Sequence, residues 1–324
     1  MLEIFTSANL AYLPQCMILL DSVRRHEPAA RFTLLLVDAI PNDVAVQAML
    51  DRCDEVVLPA DLIGPDYTHF LFPYNVVEAC TAVKGLGLER LIARGNPTVY
   101  LDPDTVLFSP LERVVTALNH HSVVLTPHQM RPTTSLRHLG DEITSLRTGA
   151  FNFGFLGVAP TDEGMQVASW WAARLAEHAL DDPSSGLFTD QKWGNLIPAM
   201  FSGAGVLRDP GMNVASWNLH ERRIEIDASG TYLVDGSPLC FFHFTKARNV
   251  GSAVSRVKMV GNAKAAHLWG WYLAELQRYD ALTPQVGWRF GRYWVPDGAV
   301  ISVEDRQRFR GTPEELRPLN PFCP

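Results

Sequence analysis

The chain is poor in cysteine, in long apolar runs and in positive charge, and each shortage removes a class of protein. Its five cysteines, Cys16, Cys53, Cys80, Cys240 and Cys323, are odd in number, widely spaced and never form a C-x-x-C pair. That excludes a disulfide framework and a cysteine-built zinc site. The longest apolar runs, such as Phe32 to Val37, are far too short to cross a bilayer, so any membrane contact is expected to be peripheral. Lys and Arg total 28 against 35 Asp and Glu, a formal charge of -7, and basic residues cluster only at Arg222-Arg223 and Arg306 to Arg310. No nucleic-acid partner is expected. Met1 leads straight into EIFTSA with no basic region or cleavage site, which favours a cytoplasmic location. There is no internal repeat and no low-complexity stretch. GLGLER, Gly85 to Arg90, lacks the third glycine of a dinucleotide fingerprint and follows no strand, so it is expected to break a helix. His120-His121 has no spaced partner and reads as a surface pair.

What remains is ample core material. Hydrophobic residues make up 47% and charged residues 19% of 324, enough for one large α/β domain or two smaller ones. The first hundred residues alternate strand-like and helical runs, the pattern of a parallel sheet with helices on its faces. Strands are expected at Leu2 to Thr6, Phe32 to Val37, Glu55 to Leu58 and Thr98 to Leu101. Helices are expected at Leu13 to Arg25, near Asp43 to Arg52, and from Val76 into the nineties with a break at Gly85 to Gly87. Later strands are expected at Ser122 to Thr126, Gly149 to Val158, Gly205 to Leu207 and Cys240 to Phe244. Gly164 to Leu180 reads as an amphipathic helix, and another begins at Thr189 to Ile197. The alternation stops near residue 250. A helix near Ala263 to Arg278 and a tail rich in Trp, Arg and Pro follow, with Trp269, Trp271, Trp288 and Trp294 read as packing residues.

The most telling stretch is TVYLDPDTVLFSPL, Thr98 to Leu111, where a buried strand runs into two carboxylates. In extended backbone residues i and i+2 point the same way, and Pro103 restricts both itself and Asp102. Asp102 and Asp104 can then converge on one hard cation, Mg²⁺ or Mn²⁺, whose remaining shell is water and phosphate. Lys84 lies in the otherwise apolar Thr81-Ala82-Val83 run, so its ammonium either snorkels to solvent or serves an anion.

Four motifs in order resemble the GT-A class of sugar-nucleotide-dependent glycosyltransferases, and within it family 8 and its bacterial relatives: IFTSANLAYL, YLDPD, FNFGFLGV, and the pair FTDQKW with FFHFTKA. The resemblance covers about residues 2 to 250. It implies a GT-A (Rossmann-like) α/β fold with a mixed, mainly parallel central sheet and a C-terminal helical or irregular extension. A catalytic domain would occupy residues 1–250, its nucleotide half 1–110 and its sugar and acceptor half 111–250, with the extension at 251–324 closing over the site or meeting the acceptor. It implies that Thr6, Ala8 and Asn9 hold the nucleotide base and that His243 joins Asp102 and Asp104 as third metal ligand, favouring Mn²⁺ over Mg²⁺. Lys246 and Lys84 would meet the diphosphate as point charges; family 8 members place a Tyr-Arg pair on the helix where Lys84 stands.

Asn152 is then either a satisfied core amide or a sugar-hydroxyl partner. Asp190 and Gln191 either open a helix or lie beside the anomeric carbon, and Asn213 is either a turn residue or part of the same pocket. The implied reaction moves a hexose from a nucleotide diphosphate sugar, UDP-linked, to a hydroxyl of a glycan, small molecule or protein, with retention. Two alternatives remain. LDPDTV also resembles the haloacid-dehalogenase phosphatases, in which Asp102 would be a nucleophile; their later acidic motif should follow a strand, whereas Asp181-Asp182 follows a helical run. A non-catalytic sugar-nucleotide-binding homologue would be expected to lose Asp104, His243 or Lys246, and all three are present.

Overall fold

The computed structural model describes residues 1–248, 255, 257–284 and 287–323. Its elements are β1 (Glu3–Ala8), α1 (Leu13–His26), β2 (Arg31–Leu36), α2 (Val44–Leu50), β3 (Glu55–Val57), α3 (Pro59–Ile63), α4 (Tyr67–Leu71), α5 (Val76–Ile92), β4 (Thr98–Leu101), β5 (Thr105–Leu107) and α6 (Glu112–Leu118). They continue as β6 (Val123–Leu125), α7 (Leu139–Thr148), β7 (Phe155–Val158), α8 (Asp162–His178), α9 (Gln191–Gly194), α10 (Ile197–Met200), β8 (Ala204–Val206) and β9 (Val214–Ala215). The last are β10 (Ile224–Ile226), β11 (Tyr232–Val234), β12 (Ser237–Pro238), β13 (Phe241–His243), α11 (Ala263–Asp280) and α12 (Val303–Gly311).

Seven strands form the central sheet in the order β3-β2-β1-β4-β7-β6-β8. All neighbours are parallel except those of β7, which runs antiparallel to β4 and β6. A mixed, mainly parallel sheet is therefore what the chain builds. Its strands read as continuous apolar runs because helices cover both faces: Ile4, Leu34 and Val99 belong to one hydrophobic cluster and Phe5, Leu35 and Tyr100 to the other.

Helix α5 runs unbroken through Gly85 and Gly87, contrary to the expected break. A Cβ on Gly85 would lie 2.4 Å from the Ala172 Cα of α8, and one on Gly87 2.3 Å from a Leu35 methyl. These glycines let α5 press against α8 and the sheet; the loss of helix propensity is offset by close packing. Of the expected strand at Gly149 to Val158, Phe155–Val158 forms as β7, while Phe151 makes an isolated antiparallel bridge to Pro127 and a turn at residues 153–154 separates the two.

The tail is core. Phe290, Ile301, Phe309 and Phe322 are buried in the cluster that holds Phe72 and Tyr74. Arg306, itself buried, donates to the carbonyls of Phe72 at 2.7 Å and Phe290 at 2.9 Å. Trp269 is buried, and Trp294 stacks on Phe322 with ring centroids 4.8 Å apart. Trp288 donates to the Val37 carbonyl at 2.9 Å and the Arg289 amide to Asp38 at 3.1 Å, so the tail reaches the end of β2. Among the described residues no helix is long and apolar enough to cross a membrane.

Candidate active site

The site is assembled where β4 ends. Asp102-Pro103-Asp104 is a turn closed by the Thr105 amide donating to the Asp102 carbonyl at 3.0 Å, where extended backbone was expected. Proline suits the second position of such a turn. The turn hands the chain to β5, which pairs antiparallel with β13 so that Thr105 stands opposite His243. The Phe244 amide donates to the Asp104 carbonyl at 2.8 Å. That register brings a histidine 139 positions away beside the aspartates: His243 Nε2 lies 2.9 Å from Asp104 Oδ1 and 3.7 Å from Asp102 Oδ2. Donor atoms of Asp102, Asp104 and His243 all fall within 4.8 Å of one another. Gly154 permits this, since a Cβ there would meet the His243 ring at 2.5 Å.

Lys84 projects from α5 into the same space. Its Nζ donates to Asp102 Oδ1 at 3.1 Å and Asp190 Oδ2 at 2.8 Å, 4.3 Å from the centre of the Tyr100 ring. The side chain is 8% exposed, so it neither snorkels nor faces an open crevice; the anions it serves are the protein's own. Tyr100 adds a 2.5 Å hydrogen bond from its hydroxyl to Asp102 Oδ1. Asp190 makes no cap hydrogen bond at α9. Its second oxygen instead accepts from Thr189 Oγ at 3.1 Å.

A chain of amides extends the site. Asn152 Oδ1 accepts from the Gly154 amide at 3.1 Å and Asn213 Nδ2 at 3.0 Å, and lies 3.3 Å from His243 Nδ1. Asn152 Nδ2 donates to Gln191 Oε1 at 3.3 Å, and Gln191 Nε2 to the Thr148 carbonyl at 2.9 Å. Asn213 also donates to Thr126 Oγ at 2.9 Å. Among the described residues Asn213 Oδ1 and Trp217 Nε1 are buried without a partner, and Trp217 lies edge-on to His243 with centroids 5.2 Å apart. These two atoms leave hydrogen-bonding capacity beside His243 that a polar ligand or water can take up. Thr189, Asn213 and Lys246 have φ of 46°, 48° and 56°. For a β-branched threonine that is a strained conformation, held only where the surroundings impose it.

The electrostatics are set by burial and near charges. Burial would raise Asp102, but Lys84 and His243 hold it below the ordinary carboxylate value. Asp190 is raised, because burial outweighs Lys84. Burial would lower His243, yet Asp104 and Asp102 raise it, and the same two-sided balance leaves Lys84 firmly charged by Asp102 and Asp190. Three carboxylates against one ammonium leave two negative charges when His243 is neutral. Two hard oxygens, one imidazole and that charge deficit fit a divalent cation, which Asp102, Asp104 and His243 can hold.

No protein-family model matches the chain. Two uncharacterized proteins of Bacillus subtilis (strain 168) are similar in sequence. YfnF is 25% identical over 187 residues, 56% of this chain and 60% of its own length; YfnD is 27% identical over 173 residues, 52% and 53%. The alignments thus span little more than half of these curated relatives. Among solved structures, the galactosyltransferase LgtC in complex with donor and acceptor sugar analogs superposes with a TM-score of 0.50 at 16% identity, covering 83% of this chain and 95% of that one.

The fold is GT-A.

Within the GT-A frame, the structure gathers Lys84, Asp102, Asp104, Asn152, Asp190, Gln191, Asn213 and His243 into one connected network. Lys246 stands apart: exposed, it lines a small cavity with Asp104, Tyr12, Gln15, Arg248 and Tyr272. Thr6 is fully enclosed in mid-strand, and Ala8 and Asn9 are buried at the end of β1, where Asp38 accepts from the Leu10 amide at 3.2 Å. The sequence pattern marks Tyr100 and Asp38 only as residues at strand ends and gives no sign of His128 or Trp217. Tyr100 was read only as strand, although it stands two residues before Asp102; His128, 3.3 Å from Asn152 Nδ2, carried no spacing signal. The phosphatase alternative gains nothing, since Asp182 spends its carboxylate on a local turn, accepting from Ser184 and Ser185.

Proposed function

We propose that this chain is a metal-dependent glycosyltransferase of the family 8 type, moving a hexose from a nucleoside diphosphate sugar, UDP-linked, to a hydroxyl acceptor with retention of configuration. The observation that carries this reading is the convergence of Asp102, Asp104 and His243 within 4.8 Å at a strand end of a GT-A fold. A bound Mn²⁺ or Mg²⁺ supplies Lewis-acid stabilisation of the charge that builds on the departing diphosphate. Asp102, Asp104 and His243 would hold it. Lys84 and Tyr100 fix Asp102 in place, so that its free oxygen is pre-aimed before any ligand arrives. Asn152 and Gln191 are assigned to the sugar hydroxyls, which would take the place of the 3.3 Å hydrogen bond between the two amides, with Asn213 bracing Asn152.

Both oxygens of Asp190 are already engaged, by Lys84 and Thr189. That fits placing charge beside the anomeric centre better than deprotonating an acceptor, and so favours retention. Ala8 and Asn9 at the end of β1, with Thr6 behind them in the strand, are assigned to the base, and Lys246 with Arg248, which line the small cavity beside Asp104, to the phosphates. The acceptor is a glycan, small molecule or protein hydroxyl, and the enzyme acts in the cytoplasm. Likeness to LgtC, whose structure holds donor and acceptor sugar analogs, supports the transfer class.

A thermal-shift panel of nucleotides and nucleoside diphosphate sugars, with and without Mn²⁺, tests the proposal. A ligand at a hundredfold its Kd stabilises the native state by about 2.7 kcal/mol. UDP or a UDP-sugar should raise the melting temperature only when metal is present. A panel in which no nucleotide shifts it, or all shift it equally in chelator, overturns the assignment.

A further inference from the structure

Two imidazoles and a carboxylate meet a second time, away from Asp102. His138 stands just before α7, Asp141 lies in its first turn, and His220 follows β9. Their donor atoms all lie within 4.8 Å of one another. The two imidazoles stack with centroids 4.4 Å apart and planes 12° apart, and each presents Nδ1 to the same atom, Asp141 Oδ2, at 3.8 Å. At that distance these are ion-pair contacts, and among the described residues neither ring makes a hydrogen bond. Asp141's other oxygen, Oδ1, is taken by Lys258 Nζ at 2.6 Å, which fixes the carboxylate and leaves Oδ2 facing the imidazoles.

We propose that His138, Asp141 and His220 form a second metal site, of the zinc class, which clips the 130–148 segment to the turn that carries His220. Two neutral imidazoles and one carboxylate suit Zn²⁺ or Co²⁺ rather than Mg²⁺, with water in the fourth position. Ligand atoms 2.0–2.1 Å from a tetrahedral zinc lie about 3.3 Å apart, so loading the site would draw each 3.8 Å spacing in by about half an ångström and turn the two rings out of their stack until both in-plane lone pairs meet at the ion. The clip has a mechanical place. Beside His220, Glu221 accepts from the amides of Met130 and Arg131 at 2.9 and 3.1 Å, so both ends of the loop before α7 are tied to one turn. The far end of α7 carries the Thr148 carbonyl that receives Gln191. Metal at the start of α7 would hold in register the helix that positions this amide.

Co²⁺ alone is the probe, added to the chelator-stripped full chain, with folding checked by circular dichroism. Wild type should bind two equivalents, and the His138→Ala/His220→Ala variant one. Asp102→Asn/Asp104→Asn should keep one equivalent with the visible absorption of tetrahedral nitrogen and oxygen coordination, bleached by added Zn²⁺. Unchanged stoichiometry and spectrum in the folded histidine variant would overturn the site, as would a folded Asp102→Asn/Asp104→Asn chain that takes up no Co²⁺. The inference does not rest on sugar transfer: Mn²⁺-dependent nucleotide binding is expected to survive loss of both histidines, so the two assignments fail separately.

Discussion

Replacing Lys84 by methionine removes the one ammonium that Asp102 and Asp190 share while keeping an unbranched stem of four heavy atoms. In the native protein that ammonium is 8% exposed and sits 3.1 and 2.8 Å from the two carboxylates. Breaking a buried pair from one side costs about 3–5 kcal/mol, because the remaining charge stays buried and uncompensated. With an unfolding entropy near 2.1 cal/mol/K per residue, a chain of 324 residues should lose roughly 4–7 °C of melting temperature. Asp190→Asn in the same chain relieves the uncompensated charge, so the double variant should recover part of the loss, with a coupling of about 0.5–3 kcal/mol. Chemical and thermal denaturation of the four proteins of the cycle, in chelator, measures this directly. A Lys84→Met chain that melts within a degree of wild type, with no coupling to Asp190, would refute the buried-bridge account and return Lys84 to an ordinary surface role.

Gly85→Ala should destabilise by about 1–3 kcal/mol through overpacking, because the new Cβ would meet the Ala172 backbone of α8; an unchanged denaturation midpoint would contradict the close contact. Phe322→Ala should cost about 3–5 kcal/mol, and deletion from Gly291 onward should unfold the protein, since Phe309 and Phe322 are core. A deletion chain with native circular dichroism and a cooperative melt would show the tail to be an appendage. His128 is lowered by burial from 6.5 to about 4, so between these values the unfolded chain binds more protons than the native one. Stability should therefore be full above pH 6.5 and decline toward pH 4, by no more than about 3 kcal/mol, and His128→Asn should flatten that slope in denaturation series across this range.

The parallel half of the sheet was legible because buried strands leave continuous apolar runs: EIFTSA, RFTLLL and TVYL each fall on a strand within a residue or two. The carboxylate pair was legible for the same reason, standing where such a run stops. Its geometry was not, since whether Asp102-Pro103-Asp104 extends or turns depends on the Thr105 hydrogen bond and on β13, far along the chain. The glycines of α5 misled because propensity alone cannot show that Ala172 needs the space. Helix α7 went unread although Leu139, Ile143 and Leu146 recur at helical spacing; all three are exposed, so the stripe marks no core face. The small sheet β10-β11-β12 turns at Asp235-Gly236, both with positive φ, a hairpin signal hidden by strands of two and three residues. Lys84 was singled out as an anomaly in an apolar run, but its two partners lie 18 and 106 positions away and only the fold could name them.

The central claim is that Asp102, Asp104 and His243 hold a divalent cation that carries a nucleoside diphosphate. Calorimetric titration of UDP into the chelator-stripped chain, with and without Mn²⁺, tests it against Asp104→Ala and His243→Ala variants that are folded by circular dichroism. The account predicts saturable, one-to-one binding to wild type in Mn²⁺, none in chelator, and none to either variant. UDP that binds as tightly in chelator, or as tightly to Asp104→Ala as to wild type, would contradict it.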